Sequence, residues 1–207
     1  MKRIFVLCMG AILLTGTLAA QTPVPEWQAG VDKVKSLVKD NPDKASEEAG
    51  ELLKGKNKKN VELVTSIARV YLDAGKLTEA EAYLEKARKA DHKAPEVSVL
   101  EGDITLARKD VGKACQLYEQ AIYFDPDCKE AYLKYAQAYK SASPAQAIEK
   151  LQQLKAIAPD YLEADKVLAE VYYANNHFGK AAEAYAKFID TPIATEDDIL
   201  KYAFALF

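Results

Sequence analysis

Apolar residues recur with helical spacing from residue 27 onward. Between residues 27 and 39, Val34 follows Val31 by three positions, and Leu37 and Val38 follow Val34 by three and four, which is the spacing of one face of an α-helix. Residues 45–54 continue the pattern, and the intervening Asn41-Pro42-Asp43 offers a turn with a helix cap at Asn41 or Asp43. The pattern therefore predicts a first pair of helices.

Small residues return at a fixed interval in the rest of the chain. One series has steps of 34, 34, 33 and 34 positions and consists of Ala68, Gly102, Ala136, Ala169 and Ala203. A second series follows the first by 11 or 12 positions and consists of Ala80, Ala114, Ala147 and Ala181. A period near 34 residues is typical of stacked helix pairs, in which small residues let neighbouring helices approach closely.

The repeated positions resemble the pattern of the tetratricopeptide repeat family. The resemblance covers roughly residues 61–207, and its clearest unit carries Tyr132, Tyr135, Ala136, Tyr139, Ala147, Leu151 and Pro159. Two departures are Thr105 in place of a tyrosine and His92 in place of a proline. The resemblance implies an all-α fold, a right-handed superhelical solenoid of antiparallel helix pairs.

The repeats divide the chain into a leader, an atypical first pair and an array. We expect a signal peptide at 1–20, a degenerate helix pair with a basic linker at 21–60, and repeat units at about 61–94, 95–128, 129–161 and 162–193, with a truncated unit at 194–207. The basic run at 54–60 is interpreted as a solvated linker, with a contact patch for an acidic partner as the alternative. Because the last unit has one helix and ends on Ala-Leu-Phe, we expect an N-terminal fragment of a longer protein or an end covered by a partner.

The first twenty residues have the order of a secretory signal. Lys2 and Arg3 precede an apolar run, and small residues lead to a cleavage point after Ala20. An uncleaved anchor is the alternative, since residues 4–20 are almost long enough to span a bilayer. Cys8 lies inside the run rather than at its end, which disfavours lipid attachment. We expect export, to the periplasm or beyond, without membrane insertion once the signal is cleaved.

Charge and side-chain chemistry favour recognition of a protein over other functions. The chain after residue 20 contains 26 basic and 31 acidic residues, and this acidic balance disfavours binding to nucleic acid. His92 and His177 belong to different repeats and form no metal pattern. Cys115 and Cys128 are expected to lie too far apart for a disulfide. We therefore expect no enzymatic activity, no metal and no cofactor.

The resemblance also implies a concave groove lined by the first helix of each pair. One residue after the small position come Arg69, Asp103, Gln137 and Glu170, and three residues further come Leu72, Leu106, Lys140 and Tyr173. This predicts an apolar strip at Leu72 and Leu106, an exposed aromatic at Tyr173, and charges of both signs, which suits a polypeptide. The clamp by which some family members hold a terminal carboxylate is not matched, since its positions carry Thr65, Arg69, Leu100, Glu130 and Lys134.

Two functions remain open at this point. The first is a non-enzymatic scaffold of the cell envelope that binds a polypeptide partner in the groove. The second is a structural module that self-associates, or packs on a missing C-terminal region, through its open helical end.

Overall fold

The computed structural model describes residues 24–207, so the predicted signal peptide at 1–20 lies outside the described residues. Within them the chain forms eleven α-helices and one 3-10 helix, Gly55–Lys59, and no β-strand. The α-helices are α1 Gln28–Leu37, α2 Pro42–Leu52, α3 Val61–Asp73, α4 Leu77–Ala90, α5 Pro95–Ala107, α6 Val111–Phe124, α7 Lys129–Tyr139, α8 Pro144–Ile157, α9 Leu162–Ala174, α10 Phe178–Tyr185 and α11 Glu196–Ala205.

Short polar segments fix the ends of the helices. The side chains of Asn41, Asn60 and Asp110 accept hydrogen bonds from backbone N–H groups in the first turns of α2, α3 and α6, which satisfies donors that a helix leaves unpaired. In the turns after α3 and α9, Gly75 and Asn176 adopt φ angles of 74° and 60°. Glycine and asparagine tolerate this left-handed conformation best, so each turn reverses the chain within a few residues.

The basic run is ordered as well as exposed. It contains the 3-10 helix Gly55–Lys59, and Lys56 Nζ lies 2.8 Å from Glu26 Oε2 ahead of α1. Because both partners are highly exposed, this ion pair contributes little to stability. The segment nevertheless places consecutive lysines at a defined position between α2 and α3.

The helices form two layers. The first helices of successive pairs, α1, α3, α5, α7 and α9, pack on one another, and each of the second helices α4, α6, α8 and α10 packs on the first helix of the next pair. The first helices contact one another directly, which is typical of the inner, concave layer of such an array. The all-α solenoid predicted from the repeat is confirmed.

The small residues lie at the closest helix contacts. All of the second series and most of the first are fully buried, namely Ala68, Ala80, Ala114, Ala136, Ala147, Ala169 and Ala181, each at 0 % exposure. Gly102 is buried as well. Ala203 departs from the prediction because it is exposed, whereas Ala205 is buried. The reason is that no helix follows α11 in the described residues to cover the face on which Ala203 lies.

Two buried carboxylates connect successive repeats near the C-terminal end. Asp165 on α9 lies 2.6 Å from Lys155 Nζ on α8 and 3.1 Å from Lys187 Nζ after α10. Asp198 on α11 lies 2.7 Å from Lys166 Nζ on α9 and completes a capping box with Thr195. Burial of an unpaired carboxylate is unfavourable, so these pairs specify how the last helices are arranged.

We expect Gly102→Ala to destabilise the fold, although the same change in an exposed helix usually stabilises it. A Cβ atom at residue 102 would lie 2.4 Å from Cε1 of the buried Tyr118 ring, and overpacking of this kind costs about 1–3 kcal/mol. Urea denaturation should show a lower midpoint for this variant. Gly112→Ala is the matched control, because its Cβ meets no atom within 4 Å, and an equal loss in both variants would contradict the prediction.

We expect the stabilising effect of Asp198 to disappear in acid. Burial by itself raises the pKa of Asp198, but hydrogen bonds from Lys166 and Thr195 outweigh it and hold the pKa below the ordinary 3.8. A lowered carboxyl pKa stabilises the fold above the ordinary pKa, and this stabilisation is lost as the pH falls through the lowered value. Asp198→Asn should therefore lower the free energy of unfolding by about 1–3 kcal/mol at pH 7.

The difference between Asp198→Asn and wild type should shrink as urea titrations are repeated from pH 7 down to pH 3. A difference that stays constant over this range would show that the carboxylate charge is not what stabilises α11.

Candidate protein-binding groove

The predicted groove residues lie on the inner layer of the solenoid. Arg69 and Leu72 are on α3, Asp103 and Leu106 on α5, and Glu170 and Tyr173 on α9. Gln137 is on α7, and Lys140 directly follows that helix. The sequence offsets therefore place all eight side chains along consecutive first helices.

Four of the eight residues come together in one open pocket. Arg69, Leu72, Asp103 and Leu106 line a cavity of about 480 Å³ together with Asp73, Ala107 and Lys134. Leu72 and Leu106 are half-buried and contribute the apolar part of its surface. This pocket between α3, α5 and α7 is called the groove pocket below.

Ion pairs connect the charged groups around the groove pocket. The Arg69 guanidinium on α3 reaches past α5 to Glu130 at the start of α7, with Nη1–Oε1 and Nη2–Oε2 distances of 2.6 and 3.0 Å. Burial alone would lower the pKa of Arg69. The hydrogen bond and the charge of Glu130 outweigh burial, so the pKa of Arg69 is raised. A bidentate pair of this kind fixes the guanidinium plane.

A second network lies beside the first. Asp103 accepts hydrogen bonds from Lys134 Nζ at 3.1 Å and from the Tyr118 hydroxyl at 2.8 Å. Tyr118 is fully buried against Gly102, so the same side chain belongs to the core and to the groove. Burial and the neighbouring Asp103 raise the pKa of Tyr118, which keeps it a neutral donor.

The repeat pattern predicts Arg69 and Asp103 as charged groove residues, but it does not predict which residues they pair with. In the sequence, Glu130 and Lys134 stand out only because they occupy positions of the carboxylate clamp. Their spacing on α7 is i, i+4, so one helix presents an acid and a base on the same face. That periodicity is a usable signal for both partners.

The other four predicted residues lie further along the inner layer and do not line the groove pocket. Lys140 Nζ is 3.1 Å from Glu170 Oε2, and the backbone oxygen of Lys140 accepts a hydrogen bond from Asn175 Nδ2 at 2.9 Å. Gln137 is exposed. The groove therefore continues past α7 as a polar surface.

Tyr173 is half-buried, so the prediction of an exposed aromatic is wrong. Its ring lies 5.5 Å from that of Phe178, 6.0 Å from Phe204 and 6.5 Å from Tyr185, in edge-to-face geometry. Aromatic side chains at the ends of α9 and α10 and on α11 cover one another in this way. The exposed aromatic residues at this end are Phe204, one residue after Ala203, and Phe207, which has the same offset of four from Ala203 as Tyr173 has from Ala169.

The two cysteines in residues 24–207 are free and suited to packing. Cys115 is buried and Cys128 is half-buried. Burial raises the pKa of Cys115 to about 11 and also raises the pKa of Cys128, so both thiols are poor nucleophiles at neutral pH.

Within residues 24–207, no three His, Cys, Asp or Glu side chains converge in the manner of a metal site. None of the helices in this part of the chain is both long enough and apolar enough to cross a bilayer.

Comparison with solved structures shows which fold this is. TTC0263, a thermophilic TPR protein of Thermus thermophilus, shares 20 % identity, with a TM-score of 0.67, over 86 % of this chain and 98 % of its own. PilW, described as a widely conserved type IV pilus biogenesis factor, shares 18 % identity, with a TM-score of 0.66, over 88 % of this chain and 87 % of its own.

A third similar structure is PilF of Pseudomonas aeruginosa, at 16 % identity and a TM-score of 0.63, over 86 % of this chain and 83 % of its own. At such identities the similarity shows the fold alone. No curated protein matches the sequence.

A protein-family model matches part of the amino-acid sequence. Residues 65–127, from within α3 to just after α6, match the tetratricopeptide repeat model. Proteins of this family are generally non-enzymatic scaffolds for protein interactions. Residues 65–127 thus match the tetratricopeptide repeat family, and the described chain has the helical solenoid fold of tetratricopeptide repeat proteins.

Proposed function

We propose that the chain is a non-enzymatic scaffold that binds a polypeptide segment of a partner protein in its groove. The observation that carries the proposal is the groove pocket, where Leu72 and Leu106 form an apolar strip between groups of both charges. A polypeptide offers apolar side chains together with backbone and charged groups, which matches this mixture.

The ion pairs of the groove preorganise its charged side chains. Because Arg69 and Lys134 are already neutralised by Glu130 and Asp103, a ligand need not bring one dominant charge. Side chains that are already held by ion pairs lose little freedom on binding, which favours affinity. Recognition then depends on the apolar strip and on hydrogen bonds to the fixed charged groups.

We also propose that this scaffold acts in the cell envelope. The order of basic, apolar and small residues in 1–20 supports export to the periplasm or beyond. The description of the similar protein PilW as a pilus biogenesis factor is compatible with an envelope role.

A second candidate function is self-association through α11. This helix and the residue that follows it leave Ile199, Leu200, Phe204 and Leu206 exposed at 52, 70, 60 and 62 %. A contiguous exposed apolar surface is typical of an interaction site. Under this alternative the chain is an assembly module, and the groove is not required.

Leu106→Glu tests the groove. It places a charge on the apolar strip. Because Leu106 is half-buried and packs against the core, circular dichroism first checks that the variant folds. Peptides selected by wild type from a displayed random library should then bind the folded variant at least about tenfold more weakly, a loss of about 1.4 kcal/mol. Fluorescence anisotropy of the selected peptides measures the affinity. Ile157→Glu is the matched control, since Ile157 is 44 % exposed on the second helix α8. Equal affinity for both variants would reject the groove.

Leu200→Glu tests self-association. If copies associate through α11, light scattering after size exclusion should show a concentration-dependent assembly in wild type that this variant loses, because burying a charge is costly. Tyr123→Glu, at an equally open site on α6 with 82 % exposure, should leave assembly unchanged. A monomer at all concentrations would exclude this alternative.

A further inference from the structure

A second surface, distinct from the groove, brings four lysines around one pocket. Lys58 and Lys59 come from the 3-10 helix, and Lys86 and Lys89 come from the C-terminal half of α4. Together with Gly50, Leu53, Val64 and Ala90 they line a pocket of about 420 Å³. It is called the lysine pocket below, and no groove residue contributes to it.

The lysine pocket is positively charged and has no neutralising partner. No acidic residue lines it, and within residues 24–207 none of its four lysines takes part in a salt bridge. Only Lys86 has a side-chain partner, since its Nζ lies 4.2 Å from the centre of the Tyr83 ring. In a chain with a formal net charge of −3, this concentration of positive charge is unusual.

Helix electrostatics explains only part of this arrangement. Lys89 lies in the last turn of α4, where a cation is favoured by the helix dipole. The dipole does not account for Lys58 and Lys59, which belong to another segment and are directed to the same pocket. The convergence of two segments far apart in sequence is therefore the feature to be explained.

The interior of the pocket is apolar and recessed. Leu53 is half-buried and Val64 is buried at 1 % exposure, whereas the lysines at the rim are exposed. A membrane-binding surface inserts protruding apolar side chains into the bilayer, and none protrudes here. The shape instead fits a ligand that inserts an apolar group of its own while its negative charges contact the rim.

We propose that the lysine pocket binds an acidic peptide segment of a partner protein, with one leucine- or phenylalanine-sized side chain inserted between Leu53 and Val64. Charge complementarity selects the acidic flanks, and the apolar floor selects the central residue. The pocket is lined by residues of α2, the 3-10 helix, α3 and α4 and shares none with the groove pocket, so it can be occupied independently of the groove.

The test uses a fluorescent peptide in which one phenylalanine is flanked on each side by three glutamates, and a second peptide with serine at the centre. The chain should bind the phenylalanine peptide in anisotropy titrations, more weakly as salt rises, because exposed charges are screened. The serine peptide should bind at least about fivefold more weakly, since it leaves the apolar floor uncovered.

Charge variants locate the site. The triple variant Lys58→Gln, Lys59→Gln and Lys89→Gln should reduce affinity at least about tenfold through the loss of three contacts. The control Lys44→Gln, Lys109→Gln and Lys113→Gln changes the net charge equally at exposed positions outside the pocket and should bind as wild type. An equal loss in both would show attraction by overall charge and overturn the proposal.

Gly50→Phe tests the apolar part without changing a charge. Gly50 lines the pocket, and a Cβ there meets no atom within 4 Å, so a phenylalanine side chain at this position should compete with the inserted residue of the peptide. Gly50→Ala is the control and should leave binding intact, and circular dichroism checks that both variants fold. Unchanged binding to Gly50→Phe would overturn insertion into the pocket.

Vesicles distinguish a protein ligand from a lipid surface. The chain should not sediment with phosphatidylglycerol vesicles any more than with phosphatidylcholine vesicles. The proposal would be overturned in favour of an anionic membrane by three results together. Wild type would sediment with phosphatidylglycerol vesicles, the triple lysine variant would not, and neither peptide would bind.

Discussion

Close contact between helices is the constraint on which the rest of this structure depends. Seven alanines at 0 % exposure and the buried Gly102 occupy the two positions at which helices meet. A larger side chain at these positions must displace a neighbour, as the Tyr118 ring beside Gly102 shows. Since each pair buries its apolar surface only by stacking on the next pair, the spacing of these contacts determines the path of the whole array.

The groove depends on this packing through Tyr118. Its ring fills the space that Gly102 leaves open, and its hydroxyl holds Asp103, which in turn pairs with Lys134 on the next repeat. The bridge from Arg69 to Glu130 then connects first helices two repeats apart. The charged groups of the groove are therefore fixed by the core, and a change of packing is expected to alter the binding surface as well.

The two proposed sites differ in their electrostatics. In the groove pocket, Arg69 and Lys134 are paired within the chain, so an apolar strip and fixed polar groups determine what binds. In the lysine pocket the positive charges are unpaired in the described residues, so charge selects the ligand. The two proposed sites share no lining residue.

The sequence by itself determined the helical fold, because the period of small and apolar residues depends only on local helix geometry and on the need to stack. It also placed Arg69, Leu72, Asp103 and Leu106 correctly on successive first helices. Only the tertiary structure decided which charges pair, since Arg69 and Glu130 are 61 residues apart. The half-buried state of Tyr173, the exposure of Ala203 and the convergence of Lys58 with Lys89 likewise depend on contacts between distant segments, which a repeat pattern does not encode.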